Sequence, residues 1–491
     1  MKHLLSARYS ISRITICLCL TSCSFAPRYE RPPMPINDHY KEAITWIMVK
    51  PTLESAKKNC IWWKVFADPT LNELEQKLTL GNPSLGLAYA RFQEAKAIVQ
   101  AARSQLYPTI LGNAGESRQK NSSNIANNFN QRLFTYNTLT FQAYLSYEID
   151  AWGQVRNTIA AAAHAARASQ FDLAAIDLSL HAELASIYFQ LRGDDAAQIA
   201  LDGIVKADRR ALYLVHQLHK EGALSALEED QAVSRLEISK ANAINIRLER
   251  AKLEHAIAVL VGEVPANFHL AASTKTIKFI ALSPGLPSIL LEQRPDIAAA
   301  VQRIKTANAT IGVAKSAFFP NFTISSLLGL QTKSISDLLS RPSLIWAIGP
   351  PSGLTLSPPE ISQVIFDGYY LQANLKRARA SYYETVNSYQ QIVLQAFREV
   401  EDGLVATYRL NQENQRQAAA TAAAKRALYQ ANQRMIEGMD TYLNVVDIQD
   451  NELNTELKLI DIQTQRQLAS VYLIKALGGG WKIAQSIKAP L

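Results

Sequence analysis

The 491-residue chain contains no run of about 18 or more apolar residues, which excludes a membrane-spanning α-helix. Contact with a membrane would then need a lipid anchor, a surface helix or a β-barrel. Cysteine is scarce: of Cys17, Cys19, Cys23 and Cys60, three fall within the first 23 residues, so no disulfide framework is built. Long basic runs are missing as well. A net charge of +8 spread thinly over this length reads as a solvated surface and points away from nucleic acid. Catalytic signatures are equally thin. Ser55-Ala-Lys-Lys58 fits an S-x-x-K pattern but lacks the elements that accompany it, and lies in a charged linker. Gly478-Gly-Gly480 follows a helical stretch, where it reads as a helix stop and not as a phosphate loop. His216 and His219 stand three apart, but two histidines are a poor metal site and read as a surface pair. Neither an enzyme, a cofactor nor a bound metal is expected.

What is present begins at the N-terminus. Residues 1–22 carry a basic flank (Lys2, Arg8, Arg13) and a short apolar core from Ile14 to Leu20, the pattern of a signal peptide. Leu20-Thr21-Ser22-Cys23 resembles a bacterial lipobox, which makes Cys23 the expected lipidated first residue of the mature chain. Ser24, in place of an aspartate, agrees with sorting to the outer membrane. Residues 23–69 then form a tether in which Pro27, Pro32 and Pro33 favour extended backbone.

The chain is written twice. Pro83 to Arg91 aligns with Pro295 to Arg303 at an offset of 212, and Tyr107-Pro108 falls on Phe319-Pro320. Further on, Arg210-Ala-Leu-Tyr213 repeats as Arg426-Ala-Leu-Tyr429 at an offset of 216. Glu221-Gly222 and Leu227 recur there as Glu437-Gly438 and Leu443. The expected repeats span 70–265 and 283–480, leaving 481–491 as a tail. Each half predicts a first helix (about 70–106 and 295–317), a region of strand character, a long proline-free helix (Val155–Lys220 and Leu371–Ile436) and, after a Gly turn, a return helix. At 1.5 Å per residue the long helices measure on the order of 100 Å.

The clearest strand is Thr138 to Asp150. Leu139, Phe141, Ala143, Leu145, Tyr147 and Ile149 occupy one face; Thr138, Thr140, Gln142, Ser146, Glu148 and Asp150 occupy the other, with Tyr144 its one large side chain. Strict alternation gives one apolar and one wet face, as in a transmembrane barrel strand or a half-buried soluble one. Partners are expected at Thr109–Glu116, Phe322–Thr332 and a strand leading into Ile365-Phe-Asp-Gly368. Two strands per half give four per chain, and four cannot close a barrel in lipid. If these strands span a membrane, the chain must oligomerise. Three copies would supply twelve strands and twelve helices.

Several segments resemble the outer membrane factor lipoproteins of tripartite efflux systems, the NodT-like group. They are CSFAPRYERPPMP at 23–35, WWKVFADPTLNEL at 62–74, YEIDAWGQVR at 147–156, LPSILLEQRPDI at 286–297, AKSAFFPNF at 314–322, IFDG at 365–368 and KALGGGW at 475–481. The resemblance covers the mature chain and implies a mostly α fold: a homotrimer with a 12-stranded outer-membrane β-barrel continued by a long periplasmic α-barrel. It implies a passive exit duct, lipid-anchored in the outer membrane and served by a periplasmic adaptor and an inner-membrane pump. It also places adaptor contacts at the helix tips around Glu221, Gly222, Ala223, Glu437, Gly438 and Met439. The pore constriction would fall at Leu443, Asn444 and Asp447, where threefold symmetry makes Asp447 a carboxylate ring suited to cations. Two departures stand out. Tyr369 follows Phe366-Asp367-Gly368 where the family has a second glycine, and a proline-rich segment at 350–364 is longer than usual. Pro358-Pro359 cannot sit inside a paired strand, so the last strand should be displaced or a loop enlarged. A type I-like secretion or metal-efflux channel, and a non-channel coiled-coil lipoprotein of the periplasm, are the alternatives.

Overall fold

Pro83 divides the first expected helix in two: α1 spans Pro69–Gly81 and α2 spans Pro83–Ser104. Proline has no N–H to continue the ladder and restricts the residue before it, so Asn82 turns extended (φ −72°, ψ 120°). Asn82 then serves both sides of the break. Its Oδ1 accepts the Leu85 N–H at 3.0 Å and its Nδ2 donates to the Leu260 carbonyl at 2.7 Å. The computed structural model describes residues 24–34, 40–42, 61–120, 135–273, 294–349, 351–352, 355–356 and 360–479. The leader 1–22, Cys23 and the tail 481–491 lie outside them.

After α2 come β1 (Thr109–Lys120), β2 (Thr135–Ile149), α3 (Gln154–Lys220) and α4 (Ala226–Val261). The second half repeats the order as α5 (Pro295–Ser316), β3 (Asn321–Thr332), a broken fourth strand, α6 (Tyr370–Ile436) and α7 (Tyr442–Ala476). The duplication is kept residue for residue. Both ends of α2 and β1 reach those of α5 and β3 at the sequence offset of 212, and α3 and α6, 67 residues each, coincide at 216. Gly262 ends α4 with φ 79°, and a Cβ there would collide with the Gly81 carbonyl, so this crossing requires glycine.

Two compact units are resolved. One comprises Met1–Pro32, Phe92–Ser169 and Ala300–Tyr389 and holds the sheet; the other comprises Pro33–Arg91, Gln170–Ala299 and Gln390–Leu491. In the first, the strands run antiparallel in the order β1-β2-β3, and β3 carries the fourth strand on its far edge. That fourth strand is in two pieces. β4 (Leu344–Ile348) pairs with Leu330–Ser326, whereas β7 (Glu360–Ser362) pairs with Thr323–Asn321. Continuous pairing from Ile348↔Ser326 would set residue 351 opposite Thr323, yet Glu360 stands there, so nine residues are extruded from the strand. They include a short antiparallel pair, β5 (Pro351–Ser352) with β6 (Thr355–Leu356). Beyond the extrusion the strand returns to the register of the first repeat: Thr109↔Ser146 recurs as Asn321↔Ser362 and Leu111↔Tyr144 as Thr323↔Glu360. The displaced-strand expectation thus takes the form of an interruption with the register recovered. The strand expected to lead into Ile365-Phe-Asp-Gly368 is β7, and beyond Ser362 the ladder stops among the described residues.

The second unit buries Trp62, Trp63 and Phe66 beside Leu71, Tyr188 and Phe189. Inside it Glu75 and His181 meet at 2.5 Å, with Asp177 3.4 Å from the other ring nitrogen and Trp63 stacked on the imidazole at 4.3 Å. Burial opposes the charged imidazolium, but Asp177 and Glu75 outweigh it and raise His181 to about 9; burial lifts Glu75 to about 7. A folded-state pKa raised from 6.5 to about 9 contributes stability that is complete below pH 6.5 and lost as pH rises through 9. The thermal midpoint of this unit should therefore fall between pH 7 and 10, by differential scanning calorimetry, and His181→Gln should flatten that dependence.

Candidate functional site

Residues directly opposite in neighbouring strands share a face of the sheet, so the register extends the sequence pattern sideways. Ala114, Phe141, Leu330 and Leu344 form one row; Ala143, Leu328 and Trp346 another; Ile110, Leu145, Ser326 and Ile348 a third. Ile149 and Phe322 continue them. One face is thus an apolar surface across every strand, and Phe141, Leu328, Trp346 and Ile348 on it are exposed. The reverse face is mostly polar, with Asn113, Thr140, Gln142, Ser146, Glu148 and Gln331 beside an apolar row of Leu111, Leu327 and Ala347 around Tyr144, whose hydroxyl donates to Gln142 at 2.8 Å. Both β1 and the fourth strand are free edges. No helix among the described residues is long and apolar enough to cross a membrane.

In the same unit as the sheet, the strap 24–31 is held on α3, α5 and α6. Ser24 Oγ donates to Asn157 at 3.0 Å, and Phe25 stacks on Phe319 at 4.4 Å within an aromatic group that includes Trp152 and Phe322. Trp152 in turn donates to the Pro320 carbonyl at 2.7 Å. Further along, Asn308 donates to the Pro27 carbonyl, Lys305 lies over the Tyr29 ring, and Arg31 reaches the Tyr389 hydroxyl.

The two helical turns are built alike. Gly222 and Gly438 adopt φ 74° and 72°, left-handed backbone that favours glycine. Ala223 N–H donates back to Leu218 and Met439 N–H to Arg434, closing each helix with a Schellman pattern. The return helices start differently. Ser225 and Glu228 form a capping box on α4, whereas Thr441 caps α7 and Asp440 receives both Arg434 at 3.4 Å and the Asn444 amide at 2.9 Å. Hydrogen bonding from Asn444 holds the Asp440 carboxyl below its ordinary range. So Asn444, expected at a constriction, is engaged with its own turn. Asp447 is exposed one turn along α7, and the Leu443 side chain lies outside the described ones. The histidines are less idle than a plain surface pair: Glu229 lies 2.7 Å from His216 and 3.7 Å from His219, and His219 also meets the Leu224 carbonyl. Among the described residues no three ligating side chains gather for a metal.

One element escaped the sequence reading. Asp208 on α3, buried to 1% exposure, takes Arg235 at 2.8 Å and Ser239 at 2.6 Å from α4 and Gln449 at 3.2 Å from α7. Arg235 also grips Asp450 of α7 at 2.7 Å. Helices of both repeats are tied here by a single guanidinium. No spacing links positions 208, 235 and 450, and only a charged residue on a helical face of Leu201, Ile204, Val205, Leu212 and Val215 hints at the junction.

A family model for outer membrane efflux proteins matches residues 74–263 and again 286–479. The chain belongs to that family. This efflux protein is similar to the outer membrane protein OprJ of Pseudomonas aeruginosa, with 31% identity over 98% of this chain and 97% of the relative. It is 28% identical to the toluene efflux pump outer membrane protein TtgF of Pseudomonas putida, over 95% and 96% of the two chains. Its fold matches the CmeC outer membrane channel of Campylobacter jejuni with a TM-score of 0.87 and 25% identity, covering 94% of this chain and 96% of that one. The efflux protein is accordingly an outer-membrane channel and not an enzyme, and its two-faced sheet is a barrel portion with lipid on one side and water on the other.

Proposed function

We propose that three copies of this chain form the exit duct of a tripartite pump, receiving substrates from an inner-membrane pump through a periplasmic adaptor. The observation that carries the trimer is the open sheet with an apolar face: unpaired edges are excluded from lipid, and threefold repetition of four strands closes them. Planar-bilayer recording of the detergent-extracted protein should show discrete conductance from a trimer; a monomer without conductance would overturn this reading.

Within the duct, the two repeats 70–265 and 283–480 act as equivalent modules, and Glu221, Gly222, Ala223, Glu437, Gly438 and Met439 form the adaptor-facing turns. Leu443, Asn444 and Asp447 line the narrowing, with Asp447 as a carboxylate ring. Asp447→Ala should then lower the cation preference, read as a reversal-potential shift toward zero in a salt gradient; unchanged selectivity would remove Asp447 from the pore.

Cys23 carries the lipid anchor in the outer membrane. Support comes from its neighbours: Ser24 and Phe25 are seated among Trp152, Phe319 and Phe322, aromatic side chains of the kind that settle at a membrane interface. Mass spectrometry of the N-terminal peptide should find a diacylglyceryl, N-acylated cysteine, and Cys23→Ala should remove it while leaving conductance in place.

A further inference from the structure

Where α2 runs up toward β1, it borders with α3 a cleft of about 490 Å³ lined by Lys96, Val99, Gln100, Arg103, Ala163 and Arg167. The α2 residues stand at i, i+3, i+4 and i+7 and the α3 residues at i and i+4, so each helix gives the cleft a single face. Three of the six are cations and none is an acid. Lys96 meets the Phe92 ring at 5.7 Å, but neither it nor Arg103 nor Arg167 has a carboxylate partner among the described residues. Three like charges gathered in one cleft without a counter-charge raise the local positive potential and draw in an anion.

The duplication shows which side of the helices the cleft faces. At the offsets of 212 and 216 its lining falls on Asn308, Ile311, Gly312, Lys315, Arg379 and Tyr383 of the second repeat. There the strap crosses: Asn308 donates to the Pro27 carbonyl, and a Cβ on Gly312 would collide with Ala26. The strap lies on the lipid side, because its Phe25 joins Trp152 and Phe319, and Trp152 packs on Phe322 of the apolar sheet face. The cleft is therefore the first repeat's counterpart of the strap groove, on the outer side of the channel and next to the membrane. A chain has one strap, and this second groove could not take it, since Gln100 stands where glycine makes room for Ala26. Two of the exchanged positions become cationic, Lys96 for Asn308 and Arg167 for Tyr383, while Arg103 keeps the charge of Lys315. We propose that the cleft binds the phosphate of an anionic phospholipid from the inner leaflet of the outer membrane. The two arginines offer planar forks to phosphate oxygens, Lys96 a point charge and Gln100 an amide donor. Val99, Ala163 and the apolar stems of the basic side chains lie along the glycerol and the first methylenes. A zwitterionic headgroup brings its own ammonium into the same positive field and is disfavoured.

Native mass spectrometry of the delipidated, detergent-extracted channel tests this, with phosphatidylglycerol, phosphatidylethanolamine and glycerol 3-phosphate titrated in turn. Phosphatidylglycerol should bind at lower concentration than phosphatidylethanolamine. Combining Lys96→Gln, Arg103→Gln and Arg167→Gln should weaken it by about tenfold or more, since each basic side chain at an anionic lipid surface adds severalfold to binding. All three side chains are exposed, so the variant keeps its fold. As a control for diffuse surface charge, Lys315→Gln with Arg379→Gln removes cations from the matching positions of the second repeat and should leave phosphatidylglycerol binding as it is. Parental binding in the triple variant, equal losses in both variants, or no preference over phosphatidylethanolamine would each overturn the site. Glycerol 3-phosphate displacing phosphatidylglycerol at equal concentration would overturn the lipid as its source and leave a site for a soluble phosphate.

Discussion

Replacing Arg235 with leucine is expected to detach α7 from α3 and α4 and to raise the conductance of the reconstituted channel. The guanidinium is the one cation that holds both Asp208 and Asp450 among the described contacts. Asp208 keeps Ser239 and Gln449, but these neutral donors leave a buried carboxylate without its counter-charge. Removing one partner from such a pair costs about 3–5 kcal/mol, far more than the pair itself contributes over an apolar replacement. The molecule can reduce that cost by opening the junction and letting water reach Asp208. Because α7 begins only a few residues before at Tyr442, release of Gln449 and Asp450 frees the segment that carries Asn444 and Asp447. Arg235→Lys should be intermediate, since a single ammonium cannot replace the fork that reaches two helices. Adding Asp208→Asn to the leucine variant removes the buried charge and should bring conductance back toward the parent. An Arg235→Leu channel with parental conductance and thermal midpoint would show that the junction does not hold the turns.

The contrast between this junction and the rest of the fold marks what a sequence can carry. Helix limits are legible because they are written locally: the proline-free stretches Val155–Lys220 and Leu371–Ile436 fall within a residue of the observed ends, Gly222 and Gly438 stand two residues past them, and the aromatic-Pro pairs begin three residues past α2 and α5. Asn82-Pro83 was local too, yet a first helix of about 70–106 ran through it, because the apolar spacing continues on both sides of the break. The strand pattern of Thr138–Asp150 carries its faces, and its partners at Thr109–Glu116 and Phe322–Thr332 are those the sheet shows, but register emerges only when Phe141 is set against Leu330 and Leu330 against Leu344. The nine extruded residues were foreshadowed by Pro358-Pro359, while their point of departure after Gly349 depends on hydrogen bonds to β3. Asp208, Glu75 and His181 were invisible for a deeper reason. A buried charge is recognised by its partners, and those partners lie tens to hundreds of residues away on helices whose relative rotation the local sequence does not state.

Ala143→Arg is expected to abolish assembly in the outer membrane, whereas Gln142→Arg, one residue away, should be tolerated. The two positions differ only in face. Ala143 is in line with Leu328 and Trp346, and Gln142 with Asn113 and Gly329. Both sit near the middle of β2, where arginine on the lipid side of a barrel costs about 2–4 kcal/mol. In a trimer that cost recurs in every copy, and it acts on a chain whose strands cannot close alone. On the wet side the same charge stays hydrated, and three added cations should shift ion preference toward anions without loss of protein. Quantifying folded, outer-membrane protein by its mobility on unheated gels would separate the outcomes. Equal tolerance of both arginines would mean that the apolar rows of Phe141, Leu328 and Trp346 face something other than lipid. Because an inward charge and an outward charge one position apart test the same strand at the same depth, a difference between them reports the orientation of the sheet and nothing else.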